Sequence, residues 1–180
     1  MKDLKGKRVA ILVDNYFEEA EFTEPLKALK KAGAKVDVIA AEPKGGQIQA
    51  LRHIEKGKLF PIDKTLQEAN IDDYDALVLP GGAINADHLR MQAKARDWVK
   101  RITAEGKPLA VICHAPWELA SAGLARGRKL TSFFTIQDDM RDAGADWVDE
   151  EVVIDGNIIT SRSPDDIPAF NKALIAMMGA

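Results

Sequence analysis

Along almost the whole of this 180-residue chain, short apolar runs alternate with stretches whose apolar residues recur at helical spacing. The runs cover residues 8–13, 35–41, 75–79 and 109–112. The helical stretches cover 18–32, closed by Gly33; 91–105, with Ala95, Trp98, Val99 and Ile102 on one face; and 117–122, closed by Gly123. A last helix follows the cap Ser163-Pro164-Asp165-Asp166 and reaches about Met178. Strands with few polar positions are buried on both faces, and intervening helices cover those faces. The pattern predicts an α/β fold: a three-layer αβα sandwich around a mostly parallel, flavodoxin-like sheet.

Residues 47–61 read as a small antiparallel excursion, 63–70 as a short helix and 83–90 as a loop or short turn. A strand at 130–133, a helix at 136–143 and a hairpin through Asp155-Gly156-Asn157 complete the order. No repeat or linker interrupts it, so residues 1–180 are expected to form a single domain with a core that needs no disulfide. A net charge of −3 argues against nucleic acid as an electrostatically driven partner. One cysteine forms no internal disulfide, which suits a reducing compartment, and no apolar segment has membrane-spanning length. The expectation is a cytoplasmic protein without membrane contact, cofactor or metal.

The richest chemistry lies in residues 107–123, where a buried strand runs straight into a helix opened by Pro116. Cys113, the only cysteine, and His114 occupy the turn. Such a turn lifts its residue above the sheet's carboxyl edge, where open α/β sheets bind ligands. A thiol at a helix N-terminus faces free N–H groups that favour the thiolate, so its pKa is expected below the free value of ~8.5. The same groups, with the His114 N–H, can hold an oxyanion. This is a strand–nucleophile–helix elbow with Cys in place of Ser. The competing reading of Cys113 is an inert core residue. His53 has no partner spacing around it and reads as a surface-loop histidine. Glu18, Glu19, Glu21 and Glu24 either complement the first helix's dipole as solvated carboxylates, or send one of their number toward Cys113.

Ala-Val-Ile-Cys-His-Ala-Pro-Trp at 110–117, Leu-Pro-Gly-Gly at 79–82 and Phe-Glu-Glu-Ala-Glu-Phe-Thr-Glu-Pro at 17–25 resemble the PfpI family of the class I glutamine amidotransferase-like superfamily. The stretches at 146–157 and 160–166, the latter Thr-Ser-Arg-Ser-Pro-Asp-Asp, fit the same pattern. The resemblance implies that a first-helix glutamate hydrogen-bonds the cysteine sulfur; matching on Pro25 selects Glu21, with Glu18 in reserve. It implies an oxyanion hole from the backbone N–H groups of Gly82 and His114. His114, which so tight a turn is expected to send outward, would there meet an acid of a neighbouring subunit. That acid corresponds to Asp87, giving a Cys113–His114–Asp87 set across the interface of a homodimer or hexamer. Without such a partner, Asp87 reads as the cap of a short helix. Two departures stand out: Ala115 replaces a common Gly after the Cys-His pair, and Phe133 stands where some relatives carry Tyr.

By resemblance the chain is a cysteine-dependent, stress-protective enzyme acting on small reactive carbonyls or their protein adducts. Cofactor-free glyoxalase, deglycase and peptidase-like hydrolase all fit these residues. A shallow elbow offers little to an extended peptide, which favours a small aldehyde. The alternative from another class is a non-catalytic, redox-responsive stress or chaperone protein, in which Cys113 becomes a sulfinate held by Glu21. A glutaminase domain is a poorer third reading, since no His and Glu occur at the late spacing it uses.

Overall fold

The computed structural model describes residues 2–180. The first half of the chain forms β1 (Arg8–Val13), β2 (Phe17–Glu18), α1 (Glu19–Lys31), β3 (Lys35–Ala40), β4 (Gln47–Arg52), β5 (Glu55–Pro61), β6 (Lys64–Thr65), β7 (Ala76–Leu79), α2 (Ala83–Met91) and α3 (Ala93–Ala104). The second half forms β8 (Leu109–Ile112), α4 (Trp117–Ser121), β9 (Lys129–Leu130), α5 (Gln137–Asp142), β10 (Asp146–Trp147), β11 (Val153–Asp155), β12 (Ile158–Ser161) and α6 (Ile167–Met178).

The apolar runs pair into a seven-stranded sheet of order β11-β12-β8-β7-β1-β3-β6, parallel except where β11 meets β12. Successive side chains of a strand point to opposite faces. Thus Val9, Ile11 and Val13 of β1 join one core with Phe22 and Leu29 of α1 and Phe170 and Leu174 of α6. Ala10 and Leu12 join the other, with Trp98 and Val99 of α3 and Leu119 of α4. This is the αβα, flavodoxin-like sandwich that the sequence predicts. The chain lays β3 and β6 on one side of β1, then returns to place β7, β8 and β12 on the other. The strand order therefore reverses between β1 and β7, the place where such sheets open a crevice at their carboxyl edge.

Several local expectations are corrected. Residues 63–70 form no helix: the Asp63 carboxylate accepts the Val38 N–H at 2.7 Å, Lys64–Thr65 pairs with β3, and Glu68 accepts the Thr65 N–H and hydroxyl. Residues 83–90 are a full helix, α2, entered through Gly82 at φ 94°. Ser163 makes no side-chain cap; the Asp166 carboxylate instead grips the Arg162 N–H and guanidinium. The strand expected at 130–133 shortens to Lys129–Leu130 and pairs with β10 in a separate two-stranded sheet. The excursion at 47–61 is antiparallel, and β4 also joins β2, which bends it over the start of α1. Among the described residues no helix is long and apolar enough to cross a membrane.

Candidate active site

At the end of β8 the chain turns on Cys113, whose φ of 66° lies in the left-handed region. Its N–H donates to Ser161 O at 3.0 Å and its carbonyl accepts the Phe133 N–H at 2.7 Å, so the turn is tied on both sides. The thiol is buried at 6% exposure. The helix beyond is short and late. The Ala115 N–H closes on Ile112 O and the Trp117 N–H on His114 O before α4 begins, so few free helix donors face the sulfur.

The turn after β7 reaches the sulfur from the other side. A Cβ on Gly81 would lie 2.5 Å from Cys113 Cβ and 2.8 Å from Ile112 O; one on Gly82 would meet the Glu18 nitrogen at 2.7 Å. Only glycines allow this approach. It brings the Gly82 N–H, together with that of His114, near enough to the Cys113 sulfur to favour its thiolate form. These are the two N–H groups assigned to the oxyanion hole.

Glu21, in the first turn of α1, is fully buried, and its Oε2 accepts the Gly81 N–H at 2.8 Å. Its carboxyl lies beside the Cys113 thiol, and Oε1 makes no hydrogen bond. Burial, followed by the nearby charge of Glu18, pushes the Glu21 pKa up to about 8. The carboxyl is thus mostly protonated at neutral pH.

The expectation of a thiol pKa below its free value is overturned. Burial raises it, Glu21 adds to the rise, and the two backbone N–H groups oppose it only in part. Burial is the main cause, and Cys113 rests as a thiol in the sheet edge, four residues before α4 begins.

His114 does not project outward. Its Nδ1 lies 3.2 Å from Cys113 Sγ, and its ring stacks on Phe133 at 4.7 Å between centroids, with Trp117 edge-on. Thr135 Oγ1 stands 3.5 Å from Nε2. Burial lowers the His114 pKa, leaving a neutral imidazole whose Nδ1 can take a proton. Asp87 is exposed on α2 and makes no contact with His114 within one chain among the described residues. Glu18 does not bond to the thiol either. Its carboxylate accepts the His53 N–H at 3.1 Å, while Glu19 accepts the Lys58 N–H at 2.8 Å and the Arg52 guanidinium. The acidic turn is therefore not a solvated dipole partner: two of its carboxylates fasten the β4–β5 hairpin and a third enters the site.

That hairpin walls a cavity of about 1110 Å³ around Cys113, larger than the shallow elbow expected. Its mouth is apolar, ringed by Ile54, Ile84 and Phe134, which are 95%, 44% and 62% exposed. Arg162 lines the opposite wall, its guanidinium held by Asp149 and Asp166. His53 is the exposed loop histidine that the sequence suggests, although it also lines the cavity, and Thr135 and Arg162 were not singled out from the sequence. The stretch 160–166 carried a family signal for Arg162, but nothing local to Thr135 pointed to the site. Among the described residues no cluster of three or more His, Cys, Asp or Glu could hold a metal.

Residues 7–177 match the DJ-1/PfpI family model. General stress protein 18 of Bacillus subtilis is 40% identical over 96% of this chain and 98% of its own length. Deglycase PfpI of Pyrococcus furiosus is 40% identical over 95% of this chain and 99% of its own. A two-domain protein of Anabaena variabilis, with DJ-1/ThiJ/PfpI-like and ferritin-like domains, superposes with a TM-score of 0.88 at 36% identity; this chain is covered over 96% and spans 48% of that one. With the family match over nearly the whole chain and relatives at this identity, the chain belongs to the DJ-1/PfpI family.

Proposed function

We propose that this protein is a cysteine-dependent enzyme that acts on reactive carbonyls, or on their adducts with protein side chains, in a stress-protective role. The observation that carries the reading is the contact of 3.2 Å between Cys113 Sγ and a neutral His114 Nδ1, beside a protonated Glu21 carboxyl. A buried thiol with a raised pKa needs a base at hand, and His114 supplies it. As sulfur bonds to the carbonyl carbon, its proton passes to Nδ1. The oxygen that gains charge is taken by the Gly82 and His114 N–H groups. Glu21, protonated at rest, gives that oxygen a proton and, then ionised, takes one from the carbon that bears it. The proton passes to the neighbouring carbonyl carbon, and water breaks the C–S bond of the resulting thioester, releasing a hydroxy acid and restoring the thiol. Each transfer moves one proton between named groups and requires no cofactor.

The names of relatives include deglycases and a stress protein, which favours carbonyl adducts over intact peptides. The size of the cavity favours an adduct carried on a side chain as well as a free aldehyde. We assign Asp87 the role of orienting His114 Nε2 across the interface of a homodimer or hexamer, beside Thr135 from the same chain.

Turnover tests the reading: methylglyoxal and its adduct on N-acetylarginine are offered to the wild type, Cys113→Ala and Glu21→Gln. The expected result is cofactor-free loss of substrate by the wild type, none above background with Cys113→Ala, and a fall of about 100-fold with Glu21→Gln. Equal turnover by wild type and Cys113→Ala would sink the proposal.

A further inference from the structure

The Gly81-Gly82 turn presents two backbone N–H groups to the site, and a glycine pair is the least suited of all sequences to hold a peptide plane still. Something else must hold it. Asn85, in the first turn of α2, is fully buried and has every hydrogen-bonding atom of its side chain engaged within this region. Its Nδ2 donates to Pro80 O at 3.0 Å and to Gly81 O at 2.9 Å, spending both hydrogens on consecutive carbonyls. Its Oδ1 accepts the Asp14 N–H at 2.6 Å, which anchors the amide to the end of β1. The Glu18 N–H reinforces the Gly81 carbonyl at 3.2 Å.

A peptide plane fixes its carbonyl and its N–H in opposite directions. In the plane joining Pro80 to Gly81, the carbonyl end lies on Asn85 and the N–H end on Glu21 Oε2. In the plane joining Gly81 to Gly82, the carbonyl end lies on Asn85, and the N–H end, directed away from it, lies on the Cys113 side of the turn, near enough to favour the thiolate. We infer that Asn85 is a positioning residue of the active site, whose one amide sets both peptide planes and so aims the Gly81 N–H at Glu21 and the Gly82 N–H at Cys113. Asn85 touches neither sulfur nor substrate and acts through the backbone. An asparagine suits the task because it offers two geminal donors and one acceptor on a short arm. An aspartate of the same shape keeps the acceptor for Asp14 and loses both donors. This inference rests on the proposed reaction only for its effect on turnover; the aim of the Gly82 N–H at the sulfur stands apart from it.

Two measurements on Asn85→Asp therefore test it. The first is the rate of Cys113 alkylation by iodoacetamide at pH 8. Without the Gly82 N–H the thiolate loses a stabilising donor, and the rate is expected to fall about tenfold, the equivalent of ~1 pKa unit. The second is steady-state turnover of methylglyoxal, where kcat should fall about 100-fold while KM stays within about threefold, as for loss of an oxyanion donor. Leu174→Ala, in the core under α6, serves as a control that lowers the melting temperature without altering thiol reactivity. Asn85→Ala removes the donors without adding charge and carries the same two readouts should Asn85→Asp fail to fold. An alkylation rate within twofold of wild type in either folded variant overturns the inference. If the wild type consumes no carbonyl substrate at all, the proposed reaction fails, and the alkylation rate still decides the role of Asn85.

Discussion

Two buried glutamates share a pKa pushed up to about 8 and differ in everything else. Glu21 accepts the Gly81 N–H through Oε2 and lies beside the Cys113 thiol. Glu118, on α4, is 2% exposed, and neither of its oxygens has a hydrogen-bond partner, although Arg90 and Arg96 lie near enough to oppose the rise. Both carboxyls hold a proton in the folded state at pH values where the unfolded chain has released it. Their contribution to stability is therefore full below the unfolded value of 4.5 and is lost as pH rises toward 8. Replacing Glu118 with Leu removes half of that slope and an unsatisfied group that costs on the order of 1–3 kcal/mol. Thermal unfolding from pH 5 to 8 should show Glu118→Leu melting above wild type, by a margin that widens with pH, while turnover is unchanged. A constant margin would mean that Glu118 is ionised throughout. At this scale Cys113, His114 and Glu21 were legible because motif and position point to them. Asn85 and Glu118 were not, because a polar residue in a helix shows its burial only once its neighbours are known. The raised thiol pKa was missed for the same reason: the motif shows a turn into a helix but not how deeply the thiol is buried.

Among the elements, the β4–β5 hairpin owes its placement to α1. The bonds from Glu18 to the His53 N–H and from Glu19 to the Lys58 N–H and Arg52 cross from helix to hairpin, and Gly57 leaves room for the Glu19 carboxylate. Glu19→Ala should loosen the hairpin alone. Amide exchange across residues 47–61 is expected to quicken by about tenfold, with exchange in β1 and β8 unaltered; uniform quickening would show that Glu19 supports the whole fold. Strands were readable as elements because β1, β7 and β8 are apolar without interruption and buried on both faces. The helix α2 was hidden: Asn85, Asp87, His88 and Arg90 interrupt its apolar pattern, and it starts on a glycine with no side-chain cap. The helix expected at 63–70 fails because the Asp63 carboxylate reaches across to the Val38 N–H and Lys64–Thr65 is held as an edge strand beside β3.

At the scale of the whole molecule, the strand reversal between β1 and β7 gathers the groups of the candidate site from separate parts of the chain. Glu21 follows β1, the glycine pair follows β7, and Cys113 follows β8. Asp87 alone lies outside this convergence, on the outer side of α2. Light scattering at micromolar concentration should report a dimer or larger, and Asp87→Asn should lower turnover by about tenfold without dissociating it; a monomer would leave His114 with Thr135 as its sole orienter. The apolar ring of Ile54, Ile84 and Phe134 around the cavity has a further consequence, in the protein's colloidal behaviour. Ile84 lies one helical turn from Asp87, so a neighbour that brings Asp87 to the site also shields part of this greasy collar from water. An environment-sensitive dye such as anilinonaphthalene sulfonate should then glow brightest in dilute protein and dim on concentration, making the mouth of the site its own gauge of self-association.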